Sequence, residues 1–387
     1  MKQKLLFLFS FVLIVDPSGL LFGVKNILFI LLFCYLFFTY QKYRKEALFL
    51  FIAVYTMITA TFLLGKIQGF EFDYSFTIFI YKTFAPLILL VWIDRLKFLE
   101  TIYFPATVVA IVSIAIYYVF IKYYGTDFFF KLNRFSNMPH RTFTISIRSF
   151  LGHDIWGVYY RSAPILLLPI SIYFSNLLDK NKRNVKIFLS CLLLFATTLL
   201  SGTRALMISS CGVVIFVLIN KMRVMHFWRK SVFIITLIGG GALFFATLLF
   251  LSDNAEASNI VKIGHMNSYI TLFKSHPLVL FLGQGAGSLL YSSGFGNYVP
   301  QTEWSYVEML RMFGVFGFIL LLILYLFPAY KIWKQRQCMP IAMPFIIGYL
   351  FYLLNAGTNP LLLGSNGMLV LLISYSVAYN STYKTTY

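Results

Sequence analysis

Apolar runs close to twenty residues long recur along the whole chain, broken by short polar stretches that are mostly basic. A helix of about 20 apolar residues is what it takes to cross the hydrocarbon core of a bilayer. The pattern predicts twelve spans, at roughly 4–18, 20–40, 47–65, 74–93, 99–121, 161–178, 186–202, 204–220, 231–251, 306–330, 341–357 and 361–379. The expected fold is an all-α, polytopic integral membrane protein, a single membrane domain over residues 1–387. The first run has the basic start and apolar stretch of a signal peptide, "MKQKLLFLFSFVLIV", but lacks a small-residue cleavage site, so it reads as an uncleaved first span.

The polar breaks set an orientation. "KYRK" (42–45), "DRLK" (94–97), "DKNKRNVK" (179–186), "KMRVMHFWRK" (221–230) and "KIWKQR" (331–336) are each separated from the next by two spans. All fall on one side, which the positive-inside rule makes cytoplasmic, together with both termini. Two long segments are then left outside, a first outer loop over 122–160 and a second over 252–303. Loops of that length between helices are usually functional or disordered, and their aromatic and apolar content argues for structure.

Composition agrees with this picture. Of the 387 residues 59% are hydrophobic and 12% charged, more apolar surface than a soluble chain of this size can hide. The net charge of +19 would suggest nucleic acid in a soluble protein. Here many of the cations lie in the cytoplasmic clusters, where anionic lipid attracts them, and no nucleic-acid-binding signature is present. Four cysteines avoid the outer loops and imply neither disulfides nor a thiolate metal site. The five histidines are scattered, without zinc-ligand spacing.

Candidate chemistry gathers at the outer face. Arg204, in "SGTRALMISS", lies at the tip of the hairpin between spans seven and eight, about 25 Å of helix from Lys221 and too far to snorkel inward. It is either an interfacial anchor that snorkels outward or a cation that faces a cavity and holds an anion. The first outer loop and its exit carry Lys122, Lys131, Arg134, Arg141, Arg148 and Arg161 against only Asp127 and Asp154. Topology does not require that excess. Guanidinium forks bind phosphate bidentately, so a lipid-linked phosphate or pyrophosphate suits the set; anionic headgroups are the alternative for any single member.

In the second outer loop Glu303 precedes "WSYVEMLRMFGVFGFILLL", where the chain re-enters the membrane. A carboxylate there suits a general base toward a sugar hydroxyl; the competing reading is an acid at a helix N-terminus with Thr302 as cap. Glu308 and Arg311, three apart, have an intrahelical ion pair as their default explanation. "GQGAGS" (283–288) lacks the setting and the Lys-Ser/Thr of a nucleotide-binding loop. Trp156, Tyr159, Tyr160 and Trp304 are candidates for sugar stacking or for an interfacial aromatic belt. Charged candidates at one face, rather than at the midplane of symmetric repeats, favour surface chemistry over a transporter.

Taken together, the spans, the "SGTRA" hairpin tip, "SHPLVLFLGQGAGS" and "QTEWSYVEMLRMFGVFGFI" resemble the O-antigen polymerase and O-antigen ligase superfamily. The motifs cover roughly 185–330 and the architecture most of the chain. The resemblance implies a GT-C-like glycosyltransferase of the bacterial inner membrane that needs neither metal nor nucleotide cofactor. Its donor would be an undecaprenyl-pyrophosphate-linked oligosaccharide, and its partners a flippase and a chain-length regulator. Arg204 matches the superfamily's hairpin arginine, and with Glu303 it forms the expected catalytic pair. Arg134, Arg141, Arg148, Arg161, His265 and Arg311 are the expected substrate-binding residues. Ligases carry a histidine where this chain reads "QTEWSY", which favours a repeat-unit polymerase over a ligase. The superfamily's loop arginine is missing too, and His265 or Lys262 would stand in for it.

Overall fold

In the computed structural model of the protein, residues 1–19, 23–136, 142–150, 153–222 and 257–383 are described. Helices dominate, and the long apolar ones lie where the apolar runs predict them. The N-terminal half runs α1 (Lys2–Val15), α2 (Val24–Thr39), α3 (Lys45–Ile67), α4 (Tyr74–Phe84, continued by a 3-10 segment, Ala85–Arg95) and α5 (Phe98–Lys122). After α5 come a short amphipathic helix, α6 (Asp127–Ser136), and an antiparallel hairpin of β1 (Phe143–Phe150) and β2 (His153–Tyr160). The chain continues through α7 (Leu167–Leu177, led in by the 3-10 turn Ala163–Leu166), α8 (Val185–Leu200) and α9 (Arg204–Met222). Beyond residue 256 follow α10 (Ala257–Ser275), α11 (Leu278–Leu282), a small hairpin of β3 (Leu290–Ser292) and β4 (Asn297–Val299), α12 (Ser305–Lys334), α13 (Ala342–Gly357) and α14 (Ser365–Tyr379).

Among the described residues five helices are long and apolar enough to cross a membrane: Lys45–Ile67, Tyr74–Arg95, Phe98–Lys122, Arg204–Lys221 and Ser305–Lys334. Five further apolar helices are shorter, among them α8 and α13. The ninth expected span, 231–251, lies outside the described residues. Local signals explain several starts. The Asp73 carboxylate accepts from the backbone N–H groups of Ser75 and Phe76 and so caps α4, and Asn184 caps α8 through the Ile187 N–H. Pro86, just inside the 3-10 segment, lacks the N–H that a longer α-helix would need.

The all-α expectation needs correction at the loops. Residues 143–160 alternate β-branched and aromatic positions with small or polar ones, a two-residue period that suits a strand pair. The second loop likewise contains α10, α11 and the small hairpin.

The core sits around α14. Its residues from Asn366 to Ala378 are all buried, as expected of a helix that is apolar on every side. It packs against α1, α5, α12 and the 3-10 part of α4. Outward faces keep large apolar side chains such as Phe38, Phe49, Phe316 and Leu354 exposed, the pattern of a surface solvated by lipid. The β1–β2 hairpin, the end of α1 and the start of α14 meet at one end of the bundle. There Tyr160 donates to the Val15 carbonyl, Ser162 to the Ile14 carbonyl (2.6 Å) and Asn366 to the Arg161 carbonyl (3.0 Å).

Candidate functional site

α12 is broken near its start. Gly314 has φ 64°, ψ −179°, a left-handed conformation that favours glycine, and the carbonyls one turn before it lose their helical partners. The glycine-rich loop supplies replacements: the Gln284 N–H donates to the Arg311 carbonyl (2.7 Å) and the Gly285 N–H to the Met312 carbonyl (3.0 Å). "GQGAGS" is thus a backbone wedge set into a helix kink.

The same wedge explains Arg311. Its Nε donates to Glu308 Oε2 (2.9 Å), and Nη2 to the same oxygen (2.8 Å) and to the Pro300 carbonyl (2.8 Å). Its Nη1 faces Gln284 Oε1 (2.6 Å), Ser288 Oγ (2.9 Å) and the Ser288 carbonyl (3.0 Å). Glu308 Oε1 accepts from the Tyr269 hydroxyl (2.7 Å) and the Thr302 N–H (2.8 Å). Arg311 and Glu308 are fully buried, and every guanidinium N–H has an acceptor. The expectation that Arg311 binds substrate is corrected accordingly, because it has no donor left to offer. The ion pair exists, but it is one edge of a network that ties the second loop to α12. Burial, then the Glu308 charge, push the Tyr269 phenol far above its ordinary range, so it stays a donor.

Glu303 is placed differently. α12 begins at Ser305 with Trp304 at its N-cap, so Glu303 precedes the helix and Glu308 is the first-turn acid. Glu303 therefore stands one residue outside the cap and not in the first turn, and Thr302 is not the N-cap residue, although its Oγ1 accepts from the Trp304 N–H (3.4 Å). The Glu303 carboxylate, 37% exposed, lies 3.8 Å from Lys262 Nζ. Its charge also acts on His265 and on Tyr159, and Arg161 acts on the same phenol. His265 is buried. Its Nδ1 is 2.7 Å from Ser292 Oγ, and its ring meets Phe295 edge-on. Nε2 has no hydrogen-bond partner among the described residues. Burial lowers the imidazole pKa from its usual value, Lys262 acts in the same direction, and Glu303 and Glu308 oppose them. A neutral imidazole and a half-exposed carboxylate therefore stand at one site.

The hairpin β1–β2 joins this neighbourhood to the "SGTR" turn. A Cβ on Gly157 would lie 2.8 Å from the Gly202 Cα and 2.9 Å from the Ser201 carbonyl oxygen, so the two backbones touch where neither residue has a side chain. Arg204, two residues on, opens α9, whose first turn holds no acid. A guanidinium at the positive end of a helix dipole adds to a field that favours an anion.

The arginine excess does not form one cluster. Arg161 follows β2 directly, whereas Arg148 pairs with Ile155, five residues along β1 from the Phe143–Tyr160 pair, about 17 Å away along the strand. Arg134 is exposed in the last turn of α6, and Arg141 lies outside the described residues. Among the aromatic candidates, Trp156 packs edge-on against Phe120 and Tyr124, and Trp304 donates to the Lys262 carbonyl (3.3 Å). Both are structural contacts. Tyr159 remains beside Arg161 and Glu303, with its phenol raised mainly by burial.

Sequence reasoning misses three buried polar groups, one of them close to Tyr159. Tyr352 lies within its electrostatic reach, and the Tyr352 hydroxyl, Asn355 Nδ2 and Asn366 Oδ1 are buried without hydrogen-bond partners among the described residues. The available signal is an asparagine within or beside an apolar run, in "YLLNAG" and "GSNGM". No family model, curated protein or solved structure matches the chain.

Proposed function

We propose that the chain is a metal-independent membrane glycosyltransferase that polymerises lipid-linked oligosaccharide repeat units into surface polysaccharide. In this reading it is a GT-C-like protein of twelve spans in the bacterial inner membrane, with both termini cytoplasmic and both hairpins outside. The donor is an undecaprenyl-pyrophosphate oligosaccharide, and a flippase and a chain-length regulator are its working partners.

One observation carries the reading. Arg161, Lys262, Glu303 and His265, from segments far apart in sequence, share one electrostatic neighbourhood at the loop end of an apolar bundle. The Gly157–Gly202 contact brings the Arg204 turn against the hairpin that leads to Arg161. Such a site can serve both ends of a glycosyl transfer. The acceptor hydroxyl oxygen bonds to the donor's anomeric carbon as that carbon's bond to the pyrophosphate oxygen breaks. The hydroxyl proton passes to Glu303, and the charge gathering on the departing pyrophosphate is met by Arg204 and Arg161.

Gene deletion combined with Arg204 replacement tests the proposal. Loss of a polymerase leaves single repeat units on the surface lipid and removes the long ladder. Loss of a ligase accumulates long polymer on the carrier lipid, and loss of a flippase traps units on the inner leaflet. Arg204→Lys should fail nearly as badly as Arg204→Ala, because an ammonium cannot reproduce a bidentate fork. The expected rate loss is on the order of 10²–10³-fold. Full polymer length in the Lys variant at normal membrane levels would remove Arg204 from the site.

A further inference from the structure

A second polar cluster lies outside the site just described. A cleft of about 100 Å³ opens between α1, α2, α4 and α14, and two lysines, Lys25 and Lys82, line it. Asn26, Thr83 and Ser365 add polar atoms, while Phe9, Phe29 and Leu372 make an apolar wall. Lys82 is eight residues into the apolar helix that begins at Tyr74, about 12 Å along its axis. A cation at that depth is expensive unless something pairs with it. Among the described residues no carboxylate does so for Lys82, and the nearby acid that acts on Lys25 is Asp16, which also accepts from the Gly19 N–H. That single carboxylate serves Lys25 and leaves Lys82 without one among the described residues.

We propose that this cleft binds the phosphate head of a membrane lipid, with Lys25 and Lys82 as its cations and the apolar wall holding the first part of its chain. A free phosphate would use the lysines but leave the wall without a purpose; a neutral lipid would do the reverse. The cleft also adjoins the candidate site through one helix turn. Ser365 lines it, and the next residue, Asn366, holds the Arg161 carbonyl at 3.0 Å. The inference does not depend on the glycosyltransferase reading, since it needs only the lysines, the wall and a bilayer.

Native mass spectrometry of the detergent-purified full chain, equilibrated with phosphatidylglycerol or with diacylglycerol, reads the occupancy. The wild type should retain phosphatidylglycerol and not diacylglycerol. The Lys25→Gln, Lys82→Gln double variant should lower that retention on the order of tenfold or more, as expected for two lost charge-assisted contacts. Lys186→Gln, in the basic cluster at the start of α8, should leave it unchanged. Asn26 is exposed, so Asn26→Trp should narrow the mouth and weaken retention with both charges in place, which guards against a double variant that fails to fold. Undiminished retention in the folded double variant or in Asn26→Trp would overturn the proposal. Displacement of the lipid by excess inorganic phosphate would also overturn it, by showing a site for a free anion.

Discussion

Glu303 and Glu308 are five residues apart, and the fold treats them in opposite ways. Glu308 is fully buried and takes hydrogen bonds from Tyr269, from the Thr302 backbone and from Arg311. Glu303 is 37% exposed and has Lys262 at 3.8 Å. A buried carboxylate with every lone pair engaged is a structural joint, because moving any partner strands a charge in low dielectric. A partly exposed carboxylate with its cation at 3.8 Å keeps the freedom to meet a substrate hydroxyl and accept its proton. The difference teaches that charge density around a residue is a poor guide to function here; spare hydrogen-bonding capacity is the better one. The same contrast separates Arg311, which has no N–H to spare, from the lysines of the second cleft.

The largest effect should follow from breaking the closed network. Arg311→Leu or Glu308→Ala leaves a buried charge without its partner and should cost about 3–5 kcal/mol. Thermal melting in detergent, or membrane levels in cells, would report it. Replacing both residues by apolar ones, Glu308→Leu with Arg311→Met, should recover part of that loss. A double variant no better than the worse single one would mean that the ties to Gln284 and Ser288 matter more than the ion pair.

Glu303→Gln should behave in the reverse manner. Stability should change by no more than about 1 kcal/mol, the usual worth of an exposed ion pair. Polymer synthesis should fall by roughly 10²–10⁴-fold, the range for loss of a general base. Wild-type product length in that variant would return the carboxylate to the role of a surface charge.

Gly157→Val should cost about 1–3 kcal/mol, because the new side chain would sit on the Gly202 backbone with no room to repack. Activity should fall further than stability if the hairpin positions Arg161 and the "SGTR" turn relative to each other. Equal falls would make the contact a packing feature alone.

The smallest expected effect is a pH dependence. His265 is held below its ordinary pKa near 6.5, mainly by burial. As the pH drops below that value the unfolded chain binds a proton that the folded chain refuses, so stability is complete above about 6.5 and declines toward the folded pKa. Melting temperatures of wild type and His265→Gln, compared between pH 8 and pH 5, should converge or cross on the acid side. Parallel curves would show that the imidazole does not titrate differently on folding.

What the sequence by itself determined about this protein is what depends on neighbours within a turn or two. Apolar runs placed the long helices, and the three-residue spacing of Glu308 and Arg311 foretold their ion pair. The tertiary structure alone decided which distant groups meet. It gave Arg311 its Gln284 and Ser288 acceptors 27 and 23 residues away, and set Gly157 on Gly202. It also folded residues 143–160 into a hairpin that separates Arg148 from Arg161, and gathered Lys25 and Lys82 from different helices into one cleft. The physical reason is one of range. Helix periodicity and capping act between residues a few positions apart and can be read from order along the chain. Burial, hydrogen-bond saturation and the pairing of charges depend on which helix faces meet, and most faces of an apolar bundle look alike in sequence.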